Sequence, residues 1–252
     1  MNIAHPEFVP NPQFSREEMQ ALQQSVAEMA VFADSGTFDG DDEQESLRAQ
    51  RDTSDLLVAG VDQAFDGETA VSAVVVMRGD SVVERTHAVE PAEIPYIPGL
   101  LSFREGGAIL SALTTLDTDP DVLLVDGSGR IHYREAGLAT HIGVTLDVPA
   151  VGVAKGLLCG RPTASITGMS EGERVPIEAD SEVTAEDETV IGYAVQTRQY
   201  DSPNRHINPL YVSPGHAVSA ETAADLVAAT AIRYKLPEPI RRADQYAAEL
   251  TK

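Results

Sequence analysis

Two short, almost uninterrupted apolar runs that each finish on a carboxylate constrain the fold more than any other feature of this 252-residue chain. They are Leu56–Asp62 (Leu-Leu-Val-Ala-Gly-Val-Asp) and Val122–Asp126 (Val-Leu-Leu-Val-Asp). Apolar runs without polar alternation read as strands buried on both faces, as inside an α/β sheet. Between them, Ala70–Met77 and Ser81–Val89 are β-rich and separated by Arg-Gly-Asp, which predicts a hairpin. A helix is expected over Leu101–Leu116, presenting Phe103, Ile109, Leu110 and Leu113, and a second over Leu138–Leu146. Ala150–Ala154 reads as a further short strand.

Three strands, a helix, a strand, a helix and a strand is an order compatible with an RNase H-like sheet. The expected class is α/β: a mixed five-stranded sheet flanked by helices, with extra terminal helices and a small additional β region. In that arrangement the first and fourth strands are neighbours. Asp62 and Asp126 then meet at one end of parallel strands, where open α/β sheets place their ligands.

The periphery is read more coarsely. Ser15-Arg-Glu-Glu18 is a capping-box pattern, and Met19, Leu22, Val26 and Met29 predict a helix over 16–32. Residues 34–55 are acidic and apolar-poor, and read as a solvated connector. Residues 161–188 are polar with at most short strands, and Val190–Thr197 and Leu210–Val212 are strands. Ser219 is expected to cap a helix presenting Ala223, Leu226, Val227, Thr230 and Tyr234, ended by Pro237, before a last helix over Arg241–Leu250. One domain spans 1–252, with its RNase H-like core over about 55–235.

Composition speaks to environment. Acidic residues number 40 against 18 basic, a net charge of −22, and the lysines are only Lys155, Lys235 and Lys252. That balance suggests a halophilic protein adapted to a salty cytoplasm. A Debye length of about 3 Å in molar salt removes long-range repulsion, so the charge does not exclude nucleic acid. With no apolar run near eighteen residues and no basic-then-apolar N-terminus, a soluble cytoplasmic protein with no membrane partner is expected. The single cysteine, Cys159, excludes an internal disulfide and reads as a small buried hydrophobe.

A strand-end aspartate commonly caps a turn. Two placed side by side repel unless a cation lies between them. Glu105, early in a helix packed over the sheet, is a candidate third ligand, and three carboxylates with water suit Mg²⁺, or Mn²⁺ as a substitute. His216, in Val-Ser-Pro-Gly-His after a strand, is a candidate for orienting or deprotonating water. His132 lies six residues past Asp126, in reach of the same cleft. Lys155, at a strand end in a chain that nearly excludes lysine, is a candidate phosphate contact. Pro95-Tyr96-Ile97-Pro98-Gly99 is a braced loop, because two prolines fix φ and stiffen the residues before them, and it holds up one aromatic ring. Gly99, Gly127 and Gly152 fall at strand or helix ends near the acids, where main-chain groups can read the edge of an extruded base.

Together these segments resemble the deoxyinosine 3′ endonuclease (endonuclease V) family. The resemblance rests on Val-Ala-Gly-Val-Asp62, Pro-Tyr96-Ile-Pro-Gly-Leu-Leu-Ser-Phe-Arg-Glu105 and Leu-Val-Asp126-Gly. It continues through Val-Gly-Val-Ala-Lys155, Asn-Pro-Leu-Tyr-Val-Ser-Pro-Gly-His216 and Tyr-Lys-Leu-Pro-Glu-Pro-Ile-Arg-Arg-Ala-Asp244. It implies a Mg²⁺-dependent DNA repair nuclease that cuts the second phosphodiester bond 3′ to deaminated adenine, leaving 3′-hydroxyl and 5′-phosphate ends. It also implies metal-site roles for Asp62, Glu105 and Asp126, a catalytic role for His216 and a wedge role for Tyr96. Lys155 and His132 match positions near the scissile phosphate, and Gly99, Leu101 and Gly127 match the hypoxanthine pocket. Ser128, Tyr133 and Ala217 depart from the family pattern, where His, Pro and Arg often stand. The alternatives are an inosine-specific endoribonuclease and a noncatalytic lesion-binding protein. The expected partner is inosine-containing DNA, or RNA, engaged by a monomer.

Overall fold

The computed structural model describes residues 1–38, 54–200 and 206–251. One mixed sheet organises them. Strands β1 (Leu57–Asp66), β2 (Thr69–Arg78) and β3 (Ser81–Pro91) form an antiparallel meander, and β1 then pairs in parallel with β4 (Val122–Asp126), and β4 with β5 (Ala150–Ala154). This is the expected five-stranded core. The sheet does not stop there: β9 (Leu210–His216), β8 (Val190–Val195), β7 (Arg174–Glu178) and β6 (Arg161–Pro162) continue it, giving the order β3-β2-β1-β4-β5-β9-β8-β7-β6. The additional β region is therefore an extension of the core sheet, because β9 pairs antiparallel along β5 and leaves no edge between them.

Helices cover both faces. On one lie α1 (Arg16–Met29), α2 (Leu101–Thr114) and α3 (Leu138–Leu146); on the other lie α4 (Ala220–Thr230) and α5 (Glu238–Leu250). The period-2 alternation of the strands sorts the core between them. Ala59, Val61, Leu123 and Val125 pack with Ile109, Leu113 and Ile142 of α2 and α3. Val58, Val122 and Leu124 pack with Ala223, Val227 and Ile240 of α4 and α5. Cys159 is buried and free, as expected.

Several boundaries differ from the sequence reading. The α1 capping box forms, with Ser15 Oγ accepting from Glu18 N–H and Glu18 Oε2 accepting from Ser15 N–H, but the helix stops at Met29 as Ala30 turns extended. Pro237 does not end α4, which already stops at Thr230; it caps α5, whose first turn carries Pro239. Tyr234 accordingly lies outside a helix, stacked under the Arg241 guanidinium. Most of the 34–55 connector lies outside the described residues. Its start is not solvated, since Phe38 is buried and Asp34 accepts hydrogen bonds from Ser219 and Thr222 at the start of α4.

Gly60 sets how closely the last helix approaches. A Cβ there would lie 2.0 Å from the Pro239 carbonyl carbon. Only a residue without a side chain lets α5 rest directly on β1.

Candidate active site

β1 does not end at Asp62. It runs on to Asp66 through its antiparallel ladder with β2, where Asp62 opposes Ala73. What ends near Asp62 is the parallel pairing with β4, whose last matched pair is Val61 and Val125. Asp62 and Asp126 therefore stand on adjacent strands at the point where these part, both on the face covered by α5. Glu105, in the second turn of α2, approaches from the other face.

The cluster is held by polar contacts at its margins. Gln63 joins two of the acids: its backbone N–H donates to Asp62 Oδ1 at 2.7 Å, and its Nε2 donates to Glu105 Oε2 at 3.0 Å. Lys155, one residue past β5, donates from Nζ to Asp126 Oδ2 at 2.5 Å. Lys235 lies in the same neighbourhood, its ammonium lowered first by burial and then by the charge of Lys155.

Asp62 and Glu105 are each only 9% exposed. Burial, then the charge of Asp126, pushes Asp62 up to about 8, against the pull of the Gln63 N–H and Lys155. Burial likewise pushes Glu105 up to about 7, opposed by Arg104 and reinforced by Asp126. Burial draws the Lys155 ammonium down, but Asp126, Asp62 and Asp244 outweigh it and hold it above the ordinary lysine value. These are carboxylates short of positive charge.

Asp244 is the residue that the sequence reading quoted without a role. Its charge acts on both Asp62 and Lys155, which brings a fourth acid to the cluster from α5. A signal for it existed: Ile240, Ala243 and Ala247 form the buried stripe of α5, and Asp244 borders that stripe.

His216 does not join them. It is the last residue of β9 rather than part of a turn, and it pairs with Ala150 at the start of β5, whereas Asp126 pairs with Val153 near its end. Three residues of strand separate the two levels, about 10 Å. The imidazole points elsewhere, with Nδ1 accepting from Val31 N–H and Nε2 3.3 Å from Asp147 Oδ1. The antiparallel direction of β9 carries its C-terminal residue to the far end of the sheet, so the structure does not bring His216 together with the acids as the sequence led one to expect.

Beside the acids lies a cavity of about 320 Å³, lined among others by Tyr96, Gly99, Leu101, Gly127, His132 and Leu138. Gly99, Leu101 and Gly127, expected at a base pocket, thus converge with Tyr96, expected as a wedge, and His132, expected near the scissile phosphate. Tyr96 is 65% exposed on its loop. Pro95 and Pro98 are exposed braces, and Ile97 packs against Leu100 and Phe103. Gly152 is not on the cavity wall. An added Cβ there would lie 2.2 Å from Gly129 N, so Gly152 makes room for the 127–129 loop from beneath. His132 is buried and held neutral down to about 4, chiefly by burial and then by Arg134.

The donor set suits a hard divalent cation, since every acid here offers carboxylate oxygen. Among the described residues, no three acids are yet spaced as a closed ligand shell. Gln63 restrains Glu105 and Lys155 restrains Asp126.

A mixed sheet flanked by helices, with acids from β1, β4 and two of those helices next to a pocket under an exposed aromatic, is an α/β fold of RNase H-like architecture whose acidic site suits a nuclease. Comparison with known proteins gives the family. Residues 42–245 match the family model described as Endonuclease V, and the chain belongs to that family of DNA repair nucleases, which hydrolyse phosphodiester bonds. It is 62% identical to Endonuclease V of Haloarcula marismortui, over 97% of this chain and 95% of that protein. The catalytic domain of human Endonuclease V superposes with a TM-score of 0.76 at 31% identity, covering 93% of this chain and 94% of that one. Endonuclease V of Ciona intestinalis, solved with a 24mer DNA containing an inosine followed by a ribo-adenosine, gives 0.70 at 26% identity, over 93% and 96% of the two chains. Among the described residues no helix is long and apolar enough to cross a membrane.

Proposed function

We propose that this chain recognises deoxyinosine in DNA and, with Mg²⁺, hydrolyses the second phosphodiester bond 3′ to it, leaving 3′-hydroxyl and 5′-phosphate ends. The observation that carries this reading is the convergence of Asp62, Glu105, Asp126 and Asp244 beside a cavity overlooked by Tyr96. Hypoxanthine pairs weakly, so extruding it costs less than extruding a well-paired base, and a pocket that closes on it selects the lesion. Tyr96, stiffened by Pro95 and Pro98, fills the vacated gap by stacking, a contact worth about 1–3 kcal/mol. His132 presents no charge to the neutral base.

Asp62, Glu105 and Asp126 would hold the cation, with Mn²⁺ as a substitute. When bound, it supplies positive charge to the phosphodiester and acidifies water. Lys155 is half exposed and reaches both Asp126 and solvent, which suits it to a phosphate oxygen. Asp244 takes the water-orienting role that the sequence reading gave to His216, because it stands beside Asp62 and Lys155.

The test is incision of an inosine-containing duplex with Mg²⁺, with EDTA and Asp126→Asn as controls. Cutting should vanish in both controls while Asp126→Asn still binds the inosine duplex. A chain that binds inosine but never cuts would leave the noncatalytic reading standing. The ribo-adenosine that follows the inosine in the Ciona intestinalis complex keeps an RNA substrate in play. Matched DNA and RNA oligonucleotides assayed side by side decide between the sugars.

A further inference from the structure

Three side chains converge on one backbone oxygen at the root of the Tyr96 loop. The Gly99 carbonyl accepts from Gln23 Nε2 at 2.9 Å, from His132 Nε2 at 3.1 Å and from Arg134 Nη2 at 3.4 Å. The donors also lock one another. Gln23 Oε1 accepts from Arg134 Nε at 2.9 Å, and His132 Nδ1 accepts from the Arg134 backbone N–H at 3.2 Å. This fixes His132 as the neutral tautomer with its proton on Nε2, in keeping with its burial. Gln23 reaches this network from α1, where it is fully buried between the apolar Met19 and Val26. A buried amide costs free energy unless its hydrogen bonds are made, and here they are made to the Gly99 carbonyl of the loop, to the Ala136 carbonyl and to Arg134. The stretch that matches the family model begins only at residue 42, after α1.

We propose that Gln23 is a positioning residue for lesion recognition: with His132 and Arg134 it clamps the Gly99 carbonyl and so holds the Tyr96 loop over the cavity, ready to receive an extruded base. The proposal rests on the reading of Tyr96 as a wedge and the cavity as a base pocket. α1 is then part of the recognition apparatus, because the loop it fixes forms the rim of the pocket.

The experiment compares Gln23→Met, which keeps the volume and removes its hydrogen bonds to the Gly99 carbonyl and to Arg134, with Arg134→Met, which removes from a partly exposed position the Arg134 bonds to the same carbonyl and to Gln23. Both are made in the Asp126→Asn background so that binding is read without cleavage. Two quantities are measured: the affinity ratio for inosine-containing over undamaged duplex, and amide hydrogen exchange of residues 94–100 in the DNA-free protein. Each variant should lower the ratio about ten-fold, the scale of one lost buried hydrogen bond, and exchange in that segment should accelerate selectively. The double variant should fall no further than the worse single one, because the links form one network. A lower melting temperature with unchanged ratio and unchanged exchange would overturn the proposal, leaving Gln23 as packing. If Gln23→Met does not fold, Arg134→Met decides by the same two measurements. If the protein with Gln23 and Arg134 intact shows no inosine preference, the functional reading fails instead, and the exchange data alone judge whether Gln23 holds the loop.

Discussion

Replacing His141 by Gln should flatten the acid limb of the stability curve. His141 lies in α3 with no exposed surface, its Nε2 2.7 Å from the Phe8 carbonyl and its ring edge-on to Phe103 at 5.5 Å. The other ring nitrogen, Nδ1, is buried with no hydrogen-bond partner among the described residues. A second proton would have to sit there, unsolvated, so burial lowers the pKa from 6.5 to about 4, against the smaller pull of the Phe8 carbonyl. Above 6.5 the imidazole is neutral in both folded and unfolded chains and contributes no pH dependence. As pH falls from 6.5 towards 4 the unfolded chain binds a proton that the folded chain refuses, so stability is lost across that window. At roughly 1.4 kcal/mol per pH unit the full loss is about 3 kcal/mol, most of it reached by about pH 4.5. Asp62 and Glu105 work with the opposite sign: their raised folded values mean that acidification favours the folded state at those two groups. The raw curve therefore mixes signs, and only a difference isolates His141. Gln keeps a donor for the Phe8 carbonyl and cannot titrate. Urea denaturation in about 1 M KCl, where surface charges are screened, should be followed at about pH 8 and about pH 4.5 for both proteins. The histidine-bearing protein should lose about 2–3 kcal/mol more than His141→Gln. Parallel losses would show that His141 protonates freely in the folded state, and the burial argument would fail.

Gly60→Ala should lower stability by about 3 kcal/mol or more, because its methyl meets main chain rather than a movable side chain, and incision should fall with it as α5 lifts Asp244 away. An unchanged denaturation midpoint would refute the close seating of α5. His216→Ala should leave incision within a few-fold and cost about 1 kcal/mol of stability, while Asp244→Ala should slow incision by about 100-fold or more. A loss from His216→Ala as deep as that from Asp244→Ala would return the histidine to the chemistry. With a net charge of −22, the fold should gain stability between about 0.1 and about 1 M KCl, and incision should persist at the upper value. A folded protein that no longer cuts at the higher salt would contradict the inferred adaptation.

Much of the core was legible because apolar runs and periodicity are local signals. Leu56–Asp62 and Val122–Asp126 read as buried strands, and helix α2 showed its face through Phe103, Ile109 and Leu113. Local pattern does not carry strand direction or neighbours in space. His216 looked close to the acids because it follows a strand, yet the antiparallel entry of β9 beside β5 places it at the opposite end. Asp244 was passed over for the complementary reason. Its relation to Asp62 depends on α5 crossing β1 at Gly60, and no window of sequence contains both. Gln23 reads as an ordinary polar residue of an amphipathic helix until the Gly99 carbonyl is seen opposite it. Tyr96, by contrast, was conspicuous at once, since the prolines that display it are its sequence neighbours.

The seating of α5 on β1 has a bearing on how such an enzyme is made safely. During synthesis the strands that carry Asp62 and Asp126 leave the ribosome well before Asp244 does, so a half-made chain holds an incomplete set of acids. On the role proposed for Asp244, a chain in which α5 has not docked should not cut. Proteolytic removal of α5 that left cutting intact would disprove this built-in safeguard.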